Sequence, residues 1–242
     1  MRAWNRVKGW ILNSISSIVN LIHLQSSTPS EALVETLAIL SILISRFPNH
    51  ISSSNYDPPP LLVLAPLLSH QRPVVRKRTI VTLSQFIPIS PPDLFTGLLK
   101  SSVLPDLIPA AGQDKRRTTV QLVAAVARHS PSQIAPFLDQ IVPQILQAVD
   151  KDDDELREGS LQALEALVLR CPSETDPYLS TIVEAGSKYI KYDPVSSGGH
   201  ISFIFLDLTL LCKNYAGGDD EDEEMGDPDE DDDDEEGLDE RV

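Results

Sequence analysis

The spacing of four prolines constrains the fold of this 242-residue chain more than any other feature. Each proline follows a stretch with apolar side chains at helical spacing, and successive ones lie 40, 43 and 41 residues apart: Phe47-Pro48, Ile87-Pro88, Ser130-Pro131 and Cys171-Pro172. Because proline lacks the N–H and its ring clashes with the preceding turn, each position predicts a helix end. The chain is therefore predicted to repeat about every forty residues.

A period near forty, with two helices in each unit, is typical of HEAT-type helical repeats. Aromatic residues make up only 5 % of the chain, which suits helix-on-helix packing. The sequence therefore predicts an all-α HEAT-repeat solenoid of about four to five helix pairs. Such units stack into a curved rod with a long open surface, so we expect a binding protein rather than an enzyme.

Helix positions follow from the apolar spacing within each unit. We predict inner helices over 31–47, 74–87, 114–129 and 155–170, the first of them capped by Thr28-Pro29-Ser30. The predicted outer helices are 61–69, bent at Pro66, then 94–111, broken at Pro105 and Pro109, then 134–149 and 178–190. Leu156-Arg157 occupies the place that Val75-Arg76 holds two units earlier.

The net charge of −16 is concentrated at one end of the chain. Residues 219–240 contain 17 acidic residues in 22 positions, whereas residues 1–218 contain 19 acidic and 19 basic residues. We predict four segments: an amphipathic helix over 1–25, the solenoid over 26–194, an apolar insertion over 195–213 and a disordered acidic tail over 214–242. Residues 229–236 lack the glycine that a calcium-binding loop requires.

The first 25 residues have two interpretations. They are basic and acid-poor, with apolar side chains on one helical face, as in a mitochondrial presequence or a first solenoid helix. The two cysteines, Cys171 and Cys212, are too few for a disulfide framework, and Cys171 is predicted to be buried. We expect a cytoplasmic and nuclear protein with no membrane-spanning segment.

Two basic clusters open neighbouring inner helices, so stacking should align them along one edge of the rod. They are interpreted either as a solvated helix face or as candidates for binding an acidic partner. A nucleic acid is disfavoured, because the acidic tail would compete for the same residues, and the tail is expected to screen this edge. The partner-binding candidates are Arg72, Arg76, Lys77, Arg78, Lys115, Arg116 and Arg117.

Sequence motifs for catalysis are missing from the chain. There is no GxSxG, Walker-type loop, HExxH or glycine-rich phosphate loop, and the five histidines are scattered. We predict no catalytic residues, no cofactor and no metal site.

The second half of the chain resembles the cullin-associated, neddylation-dissociated protein family. The stretches that carry the resemblance are DELRE at 154–158, LRCPSE at 169–174, STIVEAGSKYIKYDP at 180–194 and NYAGGDDEDEE at 214–224. The resemblance runs from about residue 28 to 194 and again from 214 to 240, and it covers part of the family's N-terminal region.

Members of that family are long HEAT solenoids that wrap the scaffold of cullin–RING ubiquitin ligases. The resemblance implies a monomeric, non-enzymatic protein that binds the cullin and its RING subunit and regulates ligase assembly and substrate-receptor exchange. The alternatives are a generic HEAT-repeat transport or trafficking adaptor, such as an importin-like protein, or a remnant that folds poorly.

Two departures from the family pattern stand out. Residues 195–213 separate the KYDP helix end from the acidic run, and the chain stops where the family continues to another helix. We expect a truncated or alternatively spliced form, or a gene model with retained intron sequence. Apolar side chains at helical spacing also allow 195–213 to dock as a substitute second helix for the fifth unit.

Overall fold

The computed structural model describes residues 13, 15–20, 22, 29–48, 51 and 56–190. All regular structure in these ranges is helical, so the predicted all-α class is confirmed. The predictions for residues 195–213, for the acidic tail and for residues 1–12 lie outside the described ranges. No helix in the described part of the chain is both long and apolar enough to cross a membrane.

Eleven α-helices between residues 30 and 190 form two layers. Four long ones, α1, α3, α6 and α9, pack side by side as inner helices, and the shorter ones build the outer layer. In chain order they are α1 Ser30–Arg46, α2 Pro60–Leu64, α3 Pro73–Phe86, α4 Pro92–Leu98, α5 Leu104–Leu107, α6 Gln113–His129, α7 Pro131–Ile134, α8 Leu138–Val149, α9 Asp154–Arg170, α10 Pro172–Thr175 and α11 Leu179–Ile190.

The repeat prolines begin helices as well as ending them. Pro131 and Pro172 each occupy the first position of the next outer helix, and a single residue separates them from the end of the inner helix. Proline fits there because the first N–H groups of a helix have no partner within the helix. The outer helix predicted from residue 134 therefore begins at Pro131, with 3-10 turns at Ala135–Phe137 joining α7 to α8.

Prolines inside the outer helices have different effects. The predicted bend at Pro66 appears as a change from α-helix to 3-10 helix at Ala65–Ser69. The break predicted at Pro105 is wrong: a π turn over Leu99–Val103 leads directly into α5, and the chain becomes extended only at Ile108. The wider π turn accommodates a residue that cannot donate the regular helical hydrogen bond.

The predicted side-chain cap of α1 is also wrong. Ser30 is already helical, and Pro29 occupies the cap position without a side-chain hydrogen bond. A proline side chain has no acceptor atom, so it cannot replace a serine or threonine cap.

The core lies between the two layers. The buried side chains on α1 are Leu33, Leu37, Leu40 and Ile44, and those on α9 include Leu156, Leu161, Leu164 and Leu167. Ile15, Val19 and Ile22 are buried in the same core, which is the packing expected of a first solenoid helix. Cys171 is buried as predicted, and burial, with a smaller contribution from Glu174, raises the pKa of its thiol to about 11.

Gly159 of the inner helix α9 faces the inner helix α6. A Cβ atom added to it would lie 3.7 Å from Val120 Cγ1 and 3.9 Å from Gln121 Cγ, which are ordinary contact distances. A methyl group therefore fits at this position, whereas a longer side chain would push the two helices apart.

We expect Gly159→Ala to raise the free energy of unfolding by about 0.5–1 kcal/mol, because alanine favours a helix interior over glycine. Gly159→Leu should lower it by about 1–3 kcal/mol through overpacking. Gly97→Leu is the matched control, since a Cβ there would have no neighbour within 4 Å. Urea denaturation provides the measurement, and equal stability of the two leucine variants would contradict this helix contact.

Candidate protein-binding surface

The two predicted basic clusters lie at the N-terminal ends of α3 and α6, which are neighbouring inner helices. Arg76 and Lys77 line one small depression together with Arg117 and Glu155, so the clusters adjoin along one side of the inner layer. We call this side, formed by the N-terminal ends of α1, α3, α6 and α9, the N-terminal edge. Its basic residues fall into three groups with different partners.

The first group consists of arginines that hold each helix pair together. Arg76, Arg116 and Arg157 are each the fourth residue of an inner helix, and each donates to carbonyl oxygens at or just after the end of the preceding outer helix. Arg76 Nη1 lies 2.9 Å from the His70 oxygen, Arg116 Nε lies 2.9 Å from the Leu107 oxygen, and Arg157 Nη2 lies 2.8 Å from the Lys151 oxygen. These bonds satisfy carbonyls that a helix end leaves without partners.

Arg116 is the most deeply placed member of this group. It is 4 % exposed, and burial lowers the pKa of its guanidinium, with partial compensation from the Asp153 carboxylate. A side chain in this position stabilises its own repeat and is not presented to a partner.

The second group is a single ion-pair network that joins two repeats. Arg117 of α6 contacts the Asp153 carboxylate through Nε at 3.1 and 3.0 Å and through Nη2 at 2.9 Å. Asp153 also caps α9 by accepting a hydrogen bond from the Leu156 amide at 3.0 Å. Glu155 Oε2 lies 3.0 Å from Arg117 Nη1. One arginine therefore locks the start of α9 against α6.

The third group remains on the surface. Lys77 and Arg78 are exposed, Arg72 pairs with Glu31 across the α1–α3 boundary, and Lys115 Nζ lies 3.5 Å from Asp106 Oδ1. The Arg72 hydrogen bond holds the pKa of Glu31 below its usual value. We call Arg72, Lys77, Arg78 and Lys115 the basic surface.

Exposed apolar residues also lie on α1 and α3, farther along these helices than the basic surface, and the predictions from the sequence did not include them. Ile39 and Ile42 of α1 are 51 % and 60 % exposed, and Val81 of α3 is 43 % exposed. The two helices are in register, because Ser41 Oγ lies 2.8 Å from Gln85 Oε1. A helical projection could have found Ile39 and Ile42, since both lie opposite the buried leucine stripe.

This arrangement has the composition of a protein-binding surface. Exposed apolar side chains with charged neighbours match the apolar core and polar rim of protein interfaces. Within the described ranges, no three potential metal-ligating side chains cluster together.

A HEAT-like repeat family model matches residues 114–167, the region of α6 to α9. Cullin-associated NEDD8-dissociated protein 2 of Mus musculus is 36 % identical over 163 residues, which is 66 % of this chain and 13 % of that protein. Cullin-associated NEDD8-dissociated protein 1 of Drosophila melanogaster is 35 % identical over 161 residues, which is again 66 % of this chain and 13 % of that protein. The resemblance to this family is confirmed over two thirds of the chain.

Solved structures agree with the repeat architecture. An engineered protein superposes with a TM-score of 0.51 at 17 % identity, covering 81 % of this chain and 79 % of the other. A designed armadillo repeat protein gives a TM-score of 0.50 at 14 % identity, covering 82 % and 81 %. These similarities establish the fold only. The chain is a HEAT-repeat solenoid that spans 13 % of the length of its cullin-associated relatives in mouse and fly.

We expect Asp153→Ala to lower the free energy of unfolding by about 2–3 kcal/mol, because it removes a helix cap and leaves Arg117 without its main partner. Asp153→Asn should have a smaller effect, since its amide oxygen can still accept from Leu156. Chemical denaturation at pH 7 measures both, and wild-type stability of Asp153→Ala would contradict the network.

The pair of Asp153 and Arg117 also makes the free energy of unfolding depend on pH. Burial alone would raise the pKa of Asp153, but the Leu156 amide and Arg117 outweigh it and hold the pKa below its usual value. The stabilisation is therefore complete above the unfolded-state pKa of about 3.9 and is lost as the pH falls through the folded-state pKa. The stability difference between wild type and Asp153→Asn should shrink below about pH 4; a constant difference would contradict this.

Proposed function

We propose that this chain is a non-enzymatic scaffold-binding protein that associates with cullin–RING ubiquitin ligases and regulates their assembly and substrate-receptor exchange. The observation that carries the proposal is the 36 % identity to a cullin-associated protein over 163 residues, a span equal to two thirds of the chain. A solenoid with an open inner surface fits this role, because repeat arrays bind partners along extended surfaces.

The contact with the cullin is assigned to the inner surface of α1 and α3. Ile42 and Val81 supply apolar contact area, and the basic surface at the N-terminal edge supplies charge for an acidic partner. Buried apolar anchors carry most of the affinity of an interface, whereas charges at its rim mainly raise the association rate. The proposal extends to the RING subunit as a second contact, to a monomeric chain and to a cytoplasmic and nuclear location.

Binding of the full chain to a purified cullin–RING complex tests this proposal. We expect Ile42→Asp to weaken binding about tenfold or more, as expected for an interface anchor. Leu62→Asp is the matched control, because Leu62 is 47 % exposed but lies on the outer helix α2. Equal losses in both variants would reject the inner surface as the contact.

The double substitution Lys77→Glu/Arg78→Glu should act mainly on the association rate, and its effect should fade in high salt. Biolayer interferometry at two salt concentrations separates the two rate constants. Failure of the wild-type chain to bind any cullin complex, together with retention by a nuclear-transport factor, would replace this proposal with a transport-adaptor role.

A further inference from the structure

We propose that the acidic segment 219–240 of this chain binds in cis to the basic surface and competes there with an acidic partner. Charge and geometry alone support the cis contact, whereas the competition with a partner depends on the proposed function. We assign this segment to the basic surface for two reasons, which are the local charge of α3 and the position at which the described part of the chain ends.

The charge of α3 is unlike that of the other inner helices. Pro73–Phe86 contains Arg76, Lys77 and Arg78 and no acidic residue, and Arg72 precedes it directly. The other inner helices carry an acidic residue in the first turn: Glu31 in α1, Asp114 in α6, and Asp154 and Glu155 in α9. Of the bases at α3, Arg76 serves its own repeat, which leaves Lys77 and Arg78 exposed to solvent.

The described chain ends on the same edge of the solenoid. Near the end of α11, Lys188 Nζ lies 2.6 Å from Asp150 Oδ1, and the Tyr189 hydroxyl lies 3.2 Å from the same oxygen. The Arg157 guanidinium also lies 4.8 Å from the centre of the Tyr189 ring. Asp150 and Arg157 flank the start of α9, so the chain departs beside the N-terminal edge.

The distance to the basic surface is short compared with the connecting chain. From α9, the helix α3 is two inner helices away, and packed helices are about 8–10 Å apart. Residues 190 and 219 are 29 positions apart, which allows a span of up to roughly 95 Å. The acidic segment can therefore reach Lys77 and Arg78 well before full extension.

Nearer lysines are less suitable for an acidic ligand. Lys151 is exposed at the start of α9, but its sequence neighbours include Asp150, Asp152 and Asp154. Lys188 is already paired with Asp150. A segment with 17 carboxylates would be repelled at this end of the edge and attracted two helices farther along.

Zero-length carbodiimide cross-linking of the full chain tests the cis contact, because it joins carboxylates to lysine amines that touch them. At low salt and high dilution, mass spectrometry should find residues 219–240 joined to Lys77 and Lys115 more often than to Lys151. The yield of these cross-links should decrease at high salt, because exposed charges are screened there. Predominant coupling to Lys151, or no coupling to Lys77, would overturn the proposal.

A charge variant sharpens the test. Arg78→Glu leaves the Lys77 amine in place. It should reduce the cross-linking of Lys77 to residues 219–240 about two- to fivefold, the range expected for one exposed ion pair. Arg128→Glu is the matched control, because Arg128 is an exposed arginine in the last turn of α6, at the opposite edge. Equal reductions in both variants would show that only total charge matters and would overturn the assignment to the basic surface.

Deleting residues 219–242 tests the competition separately. The shortened chain should bind a cullin–RING complex more tightly than the full chain at low salt and equally at high salt. Cross-links without any cullin binding would remove the proposed function and leave the cis contact standing. Tighter cullin binding without cross-links would remove the cis contact and leave the proposed function standing.

Discussion

The packing of the inner helices against one another stabilises the whole structure. A single helix pair exposes apolar side chains that it cannot cover, so each pair depends on its neighbours for burial. The contact of α6 with α9 illustrates this packing, since a Cβ atom added to Gly159 would lie 3.7 Å from Val120 Cγ1. The same stacking produces a continuous inner layer, whose free surface is then available to a partner.

The N-terminal edge combines internal hydrogen bonds and ion pairs with exposed charge. Arg116 and Arg117 are adjacent in sequence, yet one satisfies the end of an outer helix and the other joins α6 to α9. Lys77 occupies in α3 the position that Arg117 occupies in α6, and it remains exposed. Because the internal bonds fix the backbone at this edge, the exposed charges are presented at defined positions.

Sequence reasoning succeeded where the signal is local. The proline spacing and the apolar stripes predicted the four inner helices to within one or two residues, because each depends only on neighbouring positions. It could not separate structural from exposed arginines, since the partners of Arg76 and Arg117 belong to other segments. It also missed Ile42, although a helical projection of α1 places this residue opposite the buried stripe. Stretches of sequence that match the family indicated the resemblance, but they assigned no role to any of the basic residues.

Amide hydrogen exchange of the full chain tests the stacked inner layer most directly. If each inner helix is held by its neighbours, protection should be greatest in α3 and α6, which each lie between two other inner helices, and lower in α1 and α9, as expected for a nearest-neighbour array. Equal and low protection in α3, α6 and α9, with each helix pair opening independently, would contradict the account.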